Sequence, residues 1–178
     1  LHLSDLIDDL LEVARTEAGM TALSVQAVDL AQIARATVSE LGSVAKEKGV
    51  ELVMDGHDPV LLVAADPEKA KEVLENFIEN AIKYNRQGGR VDVRLEKNGG
   101  GVRFEVVDTG YGIPSDQQEK IFQKFFRAHT AETAAALGTG LGLYICKMLV
   151  EKMGGTVGFS SVEGKGSIFF CTFPVPKA

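Results

Sequence analysis

Apolar residues open the chain at a three-then-four spacing: Leu3, Leu6, Leu10 and Val13, with Ile7, Leu11 and Ala14 beside them. Asp5, Asp8, Asp9 and Glu12 fill the other face. This predicts an amphipathic helix that stops near Gly19. Little local chain is available to cover its seam. That points to a bundle or coiled-coil partner, with packing on its own domain as the alternative. Residues 25–28 read as a short strand. Asp29 then caps a helix to about Lys48, with Leu30, Ile33, Ala34, Val38, Leu41 and Val44 on one face. Residues 50–54 and 60–64 alternate as strands around a turn at 55–59.

Asp66-Pro67 is a helix start, an N-cap followed by proline at the first helical position. The pattern runs to about Asn85 and buries Ala70, Val73, Leu74, Phe77, Ile78 and Ala81. Residues 91–96 and 102–108 are strands joined through an Asn98-Gly99 turn. Residues 113–120 read as a short helical piece. The small, polar run 128–136 reads as a mobile lid. A helix from Leu141 buries Ile145, Cys146, Leu149 and Met153. Strands at 156–161 and 167–174 flank the turn Glu163-Gly164-Lys165-Gly166. From about residue 25 onward this gives five to seven mostly antiparallel strands and three main helices. Helices segregated on one face of such a sheet make an α+β two-layer sandwich.

Composition narrows the function classes. The 178-residue chain carries a formal net charge of −6. It has no block of Lys or Arg, which argues against a nucleic-acid partner but not against a small anion. Cys146 and Cys171 sit far apart in apolar segments and read as buried reduced thiols. No apolar run approaches the ~18 residues of a membrane span. The chain opens without Met and in mid-helix pattern, which reads as a fragment.

Candidate chemistry concentrates between Val106 and Leu143. Asp108-Thr109-Gly110-Tyr111-Gly112-Ile113 opens the stretch and Gly138-Thr139-Gly140-Leu141-Gly142-Leu143 closes it. Glycines two apart let backbone N–H groups approach an anion, and the second set runs into a helix N-terminus, which favours phosphate. No Lys follows the glycines, so this is not the Gly-Lys-Ser/Thr phosphate loop, and the G-x-G-x-x-G dinucleotide spacing is absent. Upstream, Asn76, Asn80 and Lys83 share one helix edge. That edge is either a site for a hydrated Mg²⁺ and phosphates or a polar rim. Asp108, at the end of a strand, either accepts from an exocyclic amine or caps a turn.

In that order, the motifs resemble the catalytic ATP-binding region of bacterial sensor histidine kinases. Its superfamily also holds gyrase B, the heat-shock chaperone ATPases and the mismatch-repair ATPases. The run Asn76 to Tyr84 resembles the N box. The run from Asp108 resembles the first glycine box, Ile121 to Arg127 the phenylalanine box, and the run from Gly138 the second glycine box, and Gly164 to Phe169 near the end also fits. The first helix resembles the second helix of the family's dimerisation hairpin. By this resemblance, residues 1–22 end that hairpin and 23–178 form the catalytic domain.

The resemblance implies a set of roles. Asn80 is the Mg²⁺ ligand, Lys83 a phosphate contact, and Tyr84 lies by the nucleotide. Asp108 holds the adenine amine. Gly138, Gly140 and Gly142 wrap the phosphates, and Arg127 contacts the γ-phosphate. Gly110, Gly112, Ile113, Phe122, Thr139, Leu141 and Thr172 complete the ATP site. Asn76 stands where hydrolases of the superfamily place a catalytic Glu, and an amide there fits transfer to histidine rather than to water. Asn76, Lys83 and Arg127 are thus the catalytic set. Glu79 is placed on the opposite helix face and given no role. The expected partners are the chain's own hairpin, in a homodimer, and a response-regulator receiver domain. The expected setting is the cytoplasmic side of a membrane-bound sensor. His2, His57 and His129 do not fit the family's acceptor pattern, so the fragment is expected to bind ATP without phosphorylating itself. A nucleotide-binding module without transferase activity and an anti-sigma-type serine kinase are the alternatives.

Overall fold

The computed structural model describes residues 3–54, 60–128 and 138–176. In chain order the elements are α1 (Leu3–Glu17), β1 (Gln26–Asp29), α2 (Leu30–Glu47), β2 (Glu51–Met54), β3 (Leu62–Ala65), α3 (Pro67–Lys83), β4 (Arg90–Asn98), β5 (Gly101–Asp108), α4 (Gly142–Lys152), β6 (Thr156–Val162) and β7 (Gly166–Pro174). Five strands form one sheet in the order β2-β4-β5-β7-β6, with β1 and β3 paired separately. Every neighbouring pair is antiparallel except β2 with β4.

Helix starts follow the capping chemistry. The Asp29 carboxylate accepts from Ala31 N at the head of α2. Asp66 accepts from Glu68 N and Lys69 N at the head of α3, with Pro67 in the first turn. Asp66 also accepts from Ser24 N, which ties the segment after α1 to α3. Apolar residues at helical spacing on α3, among them Val73, Leu74, Phe77 and Ile78, are fully buried. They meet one face of the sheet, where Val91, Phe104, Val106, Cys171 and Phe173 point inward. The period of two along β5 and β7 sends Arg103, Glu105 and Thr172 to the other face. On that face Arg103 lies 3.4 Å from the centre of the Phe170 ring and pairs with Glu105. The three main helices thus cover one side of the sheet, as expected for a two-layer sandwich. Both cysteines are buried and reduced. No helix among the described residues is long and apolar enough to cross a membrane.

Several local expectations change. Strands β2 and β3 are not partners: β2 runs parallel to β4, and β3 pairs antiparallel with β1. The first sheet edge is therefore closed by a long-range parallel pair that no local turn signal announces. The β4–β5 turn is Gly99-Gly100, one residue beyond expectation, with Gly99 at φ 57°. The helical piece expected at 113–120 shrinks to a 3-10 turn, Gln118–Lys120. On α2 the buried face passes through Ala45, leaving Val44 half-exposed. The turn at 55–59 with His57, the start of the chain with His2, and residues 129–137 with His129 lie outside the described residues.

Helix α1 packs part of its seam on its own domain. Val13 is buried and Leu6 packs against the core. Ile7, Leu10 and Leu11 stay exposed. Acidic side chains fix the docking: Glu12 pairs with Lys69, and Glu17 with Lys124 and the Tyr144 hydroxyl.

Candidate nucleotide site

A cavity of about 280 Å³ opens between α3, the end of β5 and the start of α4. At one end the polar edge of α3 contributes Asn76, Asn80 and Lys83. Asn80 Nδ2 donates to Asn76 Oδ1 at 2.9 Å, which leaves Oδ1 as the Asn80 acceptor still to be used. Across from them lie Gly138, Thr139, Gly140 and Gly142. The approach is close: a side chain at position 138 would meet Lys83 Nζ at 2.8 Å. One at position 142 would meet Asn76 Nδ2 at 2.3 Å, so only glycine leaves the α3 amide where it is. The open N-terminus of α4 has no side-chain cap, so its N–H groups remain available to an anion.

At the other end is Asp108, the last residue of β5, with 9% of its surface exposed. Its Oδ1 accepts from Gly110 N at 2.8 Å and from Ser167 N at 3.2 Å. Both bonds reach the same oxygen, so Oδ2 is left for a ligand. Burial pushes the carboxyl up to about 6, against the pull of those two N–H groups. Gly166 lets β7 begin this close. It sits at φ 115°, and a Cβ there would lie 1.9 Å from the Asp108 carbonyl oxygen. Tyr84, Ile113, Ile121, Leu143 and Phe169 supply apolar and aromatic wall between the two ends. A flat heterocycle with an amine donor suits the Asp108 end, and an anion suits the glycine end. The cavity spans both.

Residues 65–177 match the family described as histidine kinase-, DNA gyrase B- and HSP90-like ATPase. The chain belongs to this ATPase family. The circadian input-output histidine kinase CikA of Synechococcus elongatus is 37% identical over 175 residues, covering 97% of this chain and 23% of that protein. The sensor histidine kinase ZraS of Escherichia coli is 35% identical over 174 residues, covering 98% of this chain and 35% of the relative. The chain therefore spans about a quarter to a third of those proteins' length. Among solved structures, full-length ShkA in complex with AMPPNP superposes with a TM-score of 0.85 at 33% identity, over 99% of this chain and 37% of that one. The catalytic domain of the histidine kinase ThkA superposes at 0.73 and 28% identity, over 85% of this chain and 96% of that one.

The ATPase fold gathers most of the residues named from sequence. Asn76, Asn80, Lys83, Tyr84, Asp108, Gly112, Ile113, Arg127, Gly138, Thr139, Gly140 and Gly142 all line the cavity. Gly110, Phe122, Leu141 and Thr172 do not. Gly110 acts one step back, through its N–H on Asp108. Phe122 stacks edge-on to Phe159. Leu141 is fully buried behind the glycine loop. Thr172 lies on the far face of the sheet, where it bonds Thr156, so the direct contact expected of it is corrected. Glu79 is also corrected, because it lines the cavity with Asn76, Asn80 and Lys83. Partial burial, then the Glu75 charge, raises its carboxyl above the ordinary range, with Lys83 opposing. Positions 76, 79, 80 and 83 form one helical stripe, so the spacing already held this answer. Asp9, Ser167 and Phe169 also line the site, and of these Asp9 had no local signal.

Proposed function

We propose that this chain is the catalytic core of a sensor histidine kinase, binding Mg-ATP and delivering its γ-phosphate to a histidine on a dimerisation hairpin. The supporting observation is a single cavity with a buried carboxylate at one end and the Asn80–Lys83–glycine cluster at the other. Asp108 Oδ2 accepts from the exocyclic amine of adenine, a group guanine does not present at that position. Lys83 and the N–H groups behind Gly138 to Gly142 hold the phosphates. Arg127 stands with them.

The donor set fits Mg²⁺. No cluster of three His, Cys, Asp or Glu side chains exists among the described residues, so an all-protein cage is absent there. Mg²⁺ instead favours one or two protein oxygens plus phosphates and water, which Asn80 Oδ1 can supply. Bound there, the ion neutralises charge on the phosphate oxygens. Asn76 orients that amide and, lacking basicity, gives water no help. The acceptor imidazole therefore attacks: an N–P bond forms as the bridging O–P bond to ADP breaks. Residues 1–22 serve as the second helix of the hairpin, residues 23–178 as the catalytic domain. The exposed row Ile7, Leu10 and Leu11 is the face for the first hairpin helix and the second protomer. A response-regulator receiver domain then takes the phosphoryl group, and the chain forms the cytoplasmic part of a membrane-bound sensor.

Calorimetry with ATP, GTP and adenosine, with and without Mg²⁺, checks this reading. ATP is expected to bind more tightly than GTP, and Mg²⁺ to strengthen ATP but not adenosine. Asn80→Ala should remove the Mg²⁺ effect and leave adenosine binding intact. Equal affinity for ATP and GTP would refute the assignment of Asp108.

A further inference from the structure

Arg86 lies just past α3, outside the cavity, and its side chain is exposed. One nitrogen, Nη2, donates to the carbonyl of Gly110 and to the carbonyl of Gly164, each at 2.9 Å. The guanidinium also lies 5.6 Å from the centre of the Tyr111 ring. Gly110 belongs to the loop after β5, and Gly164 to the turn between β6 and β7. The first loop carries one of the two N–H groups that hold Asp108, that of Gly110, and the second leads into β7, where Ser167 N supplies the other three residues past Gly164. Backbone bonds complete the ring. Tyr111 N donates to Tyr84 O at 3.1 Å, and Gly164 N donates to Tyr111 O at 2.7 Å. Arg86 thus clips the end of α3 to both loops around the carboxylate.

We propose that Arg86 is a positioning residue for base recognition: by clasping Gly110 and Gly164 it keeps both N–H donors on Asp108 Oδ1 and so aims Oδ2 at an exocyclic amine. The inference rests on the reading of Asp108 given above. A guanidinium suits the task because its planar fork presents several N–H groups in fixed directions and stays charged. An exposed clasp of this kind adds little to global stability, since water competes for the same carbonyls. Its effect falls on geometry. If the loops relax, Gly110 N shifts away from Ser167 N, which β7 holds opposite Asp108, and the carboxylate turns. An acceptor out of line costs the nucleotide that needs it and leaves alone the nucleotide that does not.

The test compares ATP and GTP affinity for the unaltered chain, Arg86→Ala and Arg86→Lys, with thermal melting of each. Arg86→Ala is expected to bind ATP about fivefold more weakly, the worth of one net hydrogen bond, while GTP affinity and the melting temperature hold. Arg86→Lys, with its own N–H donors, is expected to recover part of the ATP preference. The recovery separates a lost clasp from a damaged fold. ATP and GTP weakened by the same factor would overturn the inference, as would an ATP-to-GTP ratio untouched in Arg86→Ala. An unaltered chain with no preference for ATP would overturn the Asp108 reading itself, and the inference with it.

Discussion

Asp108 shows a site residue working against the fold that holds it. Its carboxyl is raised from 3.8 to about 6 by burial, so folding favours the protonated form. That stabilisation is complete below about pH 4 and is lost as pH rises through about 6, roughly 3 kcal/mol in all. Asp108→Asn keeps an Oδ1 for Gly110 N and Ser167 N but sets an N–H₂ where the adenine amine would donate. The variant is expected to resist urea better than the parent at pH 8, by up to about 3 kcal/mol, with the gap closing near pH 4. Its ATP affinity should fall in the same samples. A gap that does not change with pH would contradict the burial argument. Gly142→Ala tests the other end: its Cβ would displace the Asn76 amide and, through it, Asn80. Titration calorimetry should show ATP affinity in Mg²⁺ lowered and adenosine affinity unchanged. At this scale the sequence was legible wherever chemistry is local, as in the Asn76–Asn80–Lys83 edge. It was silent on Asp9 and Arg86, whose partners lie 24 to 130 residues away. Thr172 was misplaced although the alternation Phe169, Cys171, Phe173 marks the inward face and puts Thr172 outside it.

The main helices and the strands declared themselves, but not which strands pair. Asp29 and Asp66-Pro67 set the starts of α2 and α3, because capping is a short-range bond. The pairing of β2 was not legible, because a parallel partner in β4 has no turn to advertise it. Helix α1 also reaches the site. Its Asp9 lines the cavity and accepts from Thr139 Oγ1 at 2.7 Å, inside the second glycine box. Glu17 meanwhile holds Lys124 at 2.5 Å, in the phenylalanine box. The helix therefore grips both flanks of residues 129–137. A carboxylate at the phosphate end opposes an incoming anion, so α1 docking and ATP binding should disfavour each other, and by linkage equally in both directions. Asp9→Asn is expected to tighten ATP by a few-fold, on the order of 1 kcal/mol, and leave adenosine unchanged. Isothermal titration at low and moderate salt reads this directly. Identical ATP affinities in Asp9→Asn and the parent would remove the coupling.

Across the whole molecule, one sheet face and three helices create a floor, and two loops create a cleft at its edge. Phe77 joins the two, buried under α3 and 5.9 Å from the Phe169 ring that lines the cavity. Phe77→Ala should cost about 3–5 kcal/mol in chemical denaturation and widen the base pocket. If Lys83 and the glycines hold the phosphates, the nucleotide's reactive end faces the side where α1 docks. Phosphoryl transfer draws most of its rate from positioning, so a nucleophile must be brought there in line. The measurement that decides this mixes the chain, Mg²⁺ and γ-labelled ATP with a separately supplied dimerisation hairpin carrying its histidine. Acid-labile, base-stable label is expected on the hairpin and none on the chain incubated alone. Bound ATP with no label on the hairpin, or such label on the chain by itself, would contradict the account.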